Sequence, residues 1–299
     1  MLSTSKRLGA LLLGAIAILA SVRTMEAEAG APEEPTQPAT LKPFATTTAP
    51  DVPFREYEVQ VEQQLLELAN LSRAQAGAGL LTIDSGLSHA ARVHAQAMLE
   101  ARQLSHRLEG EPSVPQRLAA STNLQLEQEA ENVAWDYSAE GGHEHLMLSP
   151  PHRANLLNPA YNVIGLGVVR SGNRLYIVQD FGYAIPNYSP AEVQKRILDI
   201  VNQMRLQANR PELKRLELPA VDDAACSMAR SDRLGTFAVY QLAERYTVLT
   251  FTTLHPEALP TAANRAITSP NLHSTSIGVC HAKTDSYPTG IYWIVLSLD

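Results

Sequence analysis

A repeat constrains this chain most: helix, second helix and strand hairpin occur in the same order in each half. In the first half Val61, Leu65, Leu68 and Ala69 recur at helical spacing, and Gly77 and Gly79 end the run. A shift of 132 positions carries these sites to Val193, Ile197, Ile200 and Val201, and takes Asn70 to Asn202 and Arg73 to Arg205. A second amphipathic helix opens after Asp84, a suitable N-cap. After a two-residue insertion, its Leu87, Ala90, Ala91 and His94 correspond to Val221, Ala224, Ala225 and Met228. HRA at His152 then faces NRA at Asn264, IGLG at Ile164 faces IGVC at Ile277, and LYIVQDF at Leu175 faces IYWIVLSL. Ser171-Gly172-Asn173 suits a hairpin turn between the two strand runs of the first half. One amphipathic helix matches any other, but three elements in order point to an internal duplication.

The second copy is expected to be reduced. His152 becomes Asn264, Gln179 becomes Val295, and His106 falls opposite Tyr240 or a gap. Only 24 positions separate Tyr240 from Asn264, against 46 between His106 and His152, so the segment carrying Glu131 is expected to be mostly missing. Core positions kept while polar ones are lost fit a packing or binding role.

The ends and the bulk properties place the chain. Lys6 and Arg7 precede an apolar run from Leu8 to Val22, short for a bilayer but right for an export signal, with Ala27-Glu28-Ala29 as a cleavage site. Residues 1–29 are therefore expected to be a signal peptide or N-terminal anchor, and no nearby cysteine offers a lipid attachment. The Pro-, Thr- and Ala-rich stretch 30–54 lacks hydrophobic periodicity and is expected to be a linker. A formal net charge of −7 with scattered basic residues gives no phosphate-neutralising stripe, so nucleic acid is not an expected partner. A secreted, periplasmic or extracellular location follows, with membrane contact only through an uncleaved N-terminal segment. Two cysteines, Cys226 and Cys280, do not make a disulfide scaffold; they are either a pair or two small buried hydrophobes.

Three short signals carry the chemistry: LSH ending at His106, ENVA opening with Glu131, and SPPHRANLLNP from Ser149. With the two strand runs that follow, they resemble the bacterial branch of the CAP family, the cysteine-rich secretory, antigen 5 and pathogenesis-related group 1 proteins. The resemblance implies an α+β fold, a three-layer α-β-α sandwich over residues 55–184, with a degenerate copy over 189–299. It also implies that His106, Glu131 and His152 line one cleft, with Gln179 on the final strand beside it. In that fold the helix of Cys226 packs on the strand of Cys280, which makes a bridge geometrically possible.

Imidazoles and a carboxylate together can hold zinc or another divalent metal, the only cofactor expected, or can work as general base. The family pattern also has a second acid. Leu146 stands where bacterial relatives usually place tryptophan, and Glu144 is the candidate for that acid; its neighbours His143 and His145 cannot both face one site on a helix. Arg153, matched by Arg265, is expected to serve the fold, Asn132 and Asn155 to tie loops to backbone, His89 to face solvent and His94 to face the core. No GxSxG elbow, HExxH helix or phosphate-binding glycine loop is present.

Two functions from different classes follow. In the first, an exported module binds a divalent metal or small polar ligand in the first cleft and meets an envelope polymer or extracellular protein. In the alternative, a metal-assisted hydrolase of an envelope or extracellular polymer holds its metal with His106 and His152 and uses Glu131 as catalytic base. Lipid carriage, known in some eukaryotic relatives, lacks an apolar groove to support it.

Overall fold

The computed structural model describes residues 57–299 and, in backbone only, residues 17–19. The expected linker and nearly all of the expected export signal lie outside the described residues. The exception is β1 (Ala17–Leu19), which pairs antiparallel with a strand of the second half.

In the first half the order is α1 (Val59–Gln75), β2 (Thr82–Ile83), α2 (Ser85–Ala101), α3 (Val114–Ser121), β3 (Gln125–Asp136), α4 (Ala139–Leu148), α5 (Pro150–Leu156), β4 (Val163–Ser171) and β5 (Arg174–Ile185). The sheet runs β2-β4-β5-β3, with only the β2–β4 pair parallel, so β3 is an edge strand. One face buries Leu65, Leu146, Leu166 and Ile177 under α1 and α4; the other buries Val133, Val169 and Val178 under α2. Helices on both faces make the three layers expected of an α+β sandwich.

Local chemistry sets these elements. Asp84 caps α2 by accepting from the Leu87 N–H, and the helix closes on Arg102 in the left-handed region with Gln103 N donating to Met98 O. Gly165 and Gly167 let α2 lie directly on the sheet: a Cβ at either would collide with the backbone of Leu87 or Ala91.

The second half contains α6 (Pro190–Gln207), β6 (Lys214–Arg215), α7 (Pro219–Ser231), α8 (Phe237–Ala243), β7 (Thr247–Thr253), α9 (Asn264–Ile267), β8 (Ser274–Ala282) and β9 (Ile291–Leu298). Its sheet order is β6-β8-β9-β7, the same path as the first, with β1 added outside β7. Small details recur as well. Buried Arg73 donates to the carbonyls of Gly79, Leu156, Asn158 and Tyr161; buried Arg205 donates to those of Pro211, Ile267, Ser269 and Leu272. Asn70 and Asn202 accept from the backbone of Leu81 and Leu213, and Asp232 closes α7 in the left-handed region as Arg102 closes α2. Cys226 on α7 and Cys280 on β8 form a disulfide.

Three expectations need correction. The Glu131 segment is shortened in the second half, not missing: β7 lies beside β9 as β3 lies beside β5. Val295 corresponds to Asp180 and not to Gln179, because each pairs with the glycine, Gly278 or Gly165, that a helix crosses. Ile294 therefore stands for Gln179, and Thr250 for Glu131. A strand buried on both faces has no polar alternation to set its register, so sequence matching slipped by one. The Arg153 side chain is exposed and makes no hydrogen bond or ion pair among the described residues; Arg73 is the arginine that ties the fold.

Arg73→Met leaves four carbonyls without their donor and should lower stability by roughly 3 kcal/mol or more, read as a fall in the urea midpoint by circular dichroism. A loss below about 1 kcal/mol would show that these carbonyls find other partners.

Candidate functional site

The register of β3 against β5 builds the site. Glu131 pairs with Asp180, which pairs on its other side with Gly165, so both carboxyls lie on the sheet face that α2 crosses. Since α2 sits directly on Gly165, it also presses His94 into this layer, where the ring is fully buried. The connection from α2 to α3 carries His106 and Glu111, and α3 carries Arg117.

These side chains form one hydrogen-bonded cluster. Arg117 Nη2 donates to Glu131 Oε2 in a very short contact, and Arg117 Nη1 lies 3.6 Å from Glu111 Oε2. His94 Nδ1 is 2.7 Å from Glu111 Oε1, and its Nε2 is 2.8 Å from the Ser105 carbonyl oxygen. Both neighbours accept, so the buried ring sits between two hydrogen-bond acceptors. His106 Nδ1 donates to Glu131 Oε1 at 2.9 Å, and its side chain remains 56% exposed while that of Glu131 is 1% exposed. Glu131 thus stands behind His106 and fixes its tautomer, leaving Nε2 free to face outward.

Asp180 completes the cluster from below. It is fully buried, and neither carboxyl oxygen has a hydrogen-bond partner among the described residues. Burial, and then the adjacent Glu131 charge, push its carboxyl well above the usual carboxylate range, against the pull of Arg117. A neutral Asp180 adds no further anion beside Glu111 and Glu131, the carboxylates that face Arg117.

His152 arrives from the other side of edge strand β3. Asn132, on the opposite sheet face, donates to the His152 carbonyl at 3.1 Å, and Asn155 donates to Glu131 O and to Asn132 Oδ1. The two asparagines thus stitch α5 to β3. Burial, then the nearby charge of His106, holds the His152 ring below the ordinary histidine range, so it is neutral at pH 7. The charge of His106 is felt at His152, which α5 holds beside the same strand.

The remaining expected residues lie elsewhere. Gln179 is fully buried on the α5 side, accepting from Asn132 at 3.2 Å, and does not reach the cleft surface. Glu144 is exposed and away from the cluster; Glu111 and Asp180 are the additional acids. His143 is buried against Ser72 Oγ at 2.8 Å, whereas exposed His145 pairs with Asp136, so the two do point apart. His89 is exposed. Sequence reasoning missed His94, Glu111, Arg117 and Asp180. A histidine on a helix's buried face was the available signal, because such a group needs polar partners.

No set of three or more His, Cys, Asp or Glu side chains among the described residues is placed to hold a metal ion. The expected set His106, His152 and Glu131 fails at Glu131, whose two oxygens are taken by Arg117 and His106. The same burial removes Glu131 as a base for an attacking water: no face of the carboxylate is open to solvent.

A sandwich with an acid cluster beneath the exposed loop histidine His106 defines the class, and comparison gives a family match. Residues 66–181 match the CAP family, described as the cysteine-rich secretory protein family. A protein of Bacillus subtilis (strain 168), itself named only as the uncharacterized protein YkwD, is 33% identical over 137 residues. That match covers 46% of this chain and 51% of the Bacillus protein, so the chain spans about half the length of this curated relative. The crystal structure of an extracellular SCP-domain protein from Bacillus anthracis is similar at 24% identity and a TM-score of 0.39, over 42% of this chain and 40% of that one. An outer surface protein of Borrelia burgdorferi is similar at 21% identity and a TM-score of 0.40, over 42% of this chain and 94% of that one. The CAP-family match thus falls within the first half of the chain, over residues 66–181, and the curated relative of that stretch is bacterial.

Asp180→Asn replaces a protonated acid by a neutral amide of the same shape. A group with a raised folded pKa favours folding below its unfolded value, here the usual 3.8, and loses that contribution as pH rises toward the raised value. The advantage of Asp180→Asn over wild type in urea midpoint should therefore grow from pH 4 to pH 7.5. A constant difference across that range would mean that Asp180 is ionised in the fold.

Proposed function

We propose that this chain is an exported CAP-type binding protein whose first-half cleft takes a small polar ligand between His106 and His152. A divalent cation that completes its shell with water or ligand atoms is the second occupant this chemistry suits. The names of the bacterial relatives, extracellular and outer-surface, support export, and no helix among the described residues is long and apolar enough to cross a membrane. The single observation that carries the reading is the carboxylate-backed imidazole: Glu131 holds Nδ1 of His106 and leaves Nε2 outward. Histidines that bind ligands or metals are commonly oriented in this way. Beside it, a neutral His152 presents a second ring without a charge to repel a cation or a hydrogen-bond donor.

The hydrolase alternative loses support because its base is buried. The two halves are read as copies of one module, the second having exchanged its acids for Thr250 and Val295 and kept the framework. An envelope polymer or extracellular protein remains the expected macromolecular partner.

Zinc titration by calorimetry tests the cleft. Wild type should bind, and the double variant His106→Ala, His152→Ala should not. Glu131→Gln should keep binding but weaken it by about 10- to 100-fold, as loss of an orienting partner does. Equal affinity in wild type and the double histidine variant would remove the cleft from consideration.

A further inference from the structure

The second half has no histidine cleft, yet its polar contacts with the first converge on one short segment, residues 119–127. Lys283, just past β8, donates Nζ to the carbonyl oxygens of Ala119 and, at 3.0 Å, Thr122. Buried Gln125 donates to Gly290 O at 2.6 Å and meets His281 Nε2 at 2.6 Å through its own oxygen. Thr289 Oγ1 donates to Leu126 O at 3.1 Å, and His255 pairs with Glu127 at 3.1 Å. These contacts seize the end of α3 and the start of β3 together.

That segment matters because α3 is only 8 residues long and carries Arg117, the cation that holds Glu131. So short a helix has little stability alone and depends on tertiary contacts. Lys283 sits where a cation favours a helix, at C-terminal carbonyls that lack intrahelical donors. An ion pair in a buried layer is strong only with good geometry, and a displaced α3 would leave Glu131 charged, buried and unpaired.

We propose that the second half is a brace for the cleft of the first: Lys283 fixes the end of α3 and the Thr289–Gly290 turn fixes the start of β3, and through Arg117 they fix Glu131 and the ring of His106. Lys283 is thus a positioning residue acting at a distance from the site. The proposal concerns the placement of Glu131 and His106 and rests on the proposed function only for its consequence in binding, so its test uses no ligand.

Lys283→Met in the full chain is compared with wild type by amide hydrogen exchange and by NMR titration of the His106 ring. The expected result is faster exchange at the α3 amides, on the order of tenfold, with β4, β5, β8 and β9 unchanged. The His106 midpoint should also shift, and Lys283→Arg should restore both readouts. Thr289→Val, which removes only the bond to Leu126, should give the same local pattern at smaller size and serves if Lys283→Met does not fold. Wild-type α3 exchange and an unmoved His106 midpoint would overturn the proposal. So would faster exchange spread evenly over both sheets, because that reports general destabilisation.

Discussion

The buried contact between Arg117 and Glu131 is the interaction on which the rest of the site depends. Taking a carboxylate out of water costs several kcal/mol, and only a well-placed cation with further hydrogen bonds offsets it. Arg117 supplies the charge, His106 takes the second oxygen, and His94 and Glu111 extend the network. Asp180 fits because burial and the adjacent Glu131 charge favour its neutral form in this layer. The exposed chemistry, one outward imidazole nitrogen, is the end of a chain of buried constraints.

Those constraints trace back to backbone geometry. Without Gly165 and Gly167, α2 would stand off the sheet and His94 would not reach the acid layer. The second half keeps the same crossing at Gly278 but places Thr250 and Val295 where Glu131 and Asp180 stand, so its layer is close to apolar. The same scaffold can therefore hold a charged cluster or a hydrophobic one, depending on two strand positions. What remains in both halves is the arginine that gathers carbonyls from distant loops, Arg73 and Arg205, which keeps the framework while the site changes.

Much of the fold was legible because helical spacing is a direct record of burial: Val61, Leu65 and Ala69 face the core, as do their partners Val193, Ile197 and Val201. Caps and turns were legible for the same local reason, as at Asp84 and Gly172. The cluster was only partly legible. His106 and Glu131 were visible through their motifs, whereas Glu111 and Arg117 lie in a loop and a short helix with no periodic pattern. Asp180 sits in an otherwise apolar strand, and its role comes only from the residue across the ladder. Strand register, which sequence left ambiguous by one position in the second half, is what decides whether a carboxylate stands alone or in a cluster.

The claim that Glu131 acts from behind His106 is tested most directly by nitrogen-15 NMR of the His106 ring at a pH where it is neutral. The account predicts a proton on Nδ1 and a bare Nε2, with that preference lost in Glu131→Gln. A ring protonated on Nε2 in the wild-type protein would contradict it, since the carboxylate would then not be holding the histidine at all.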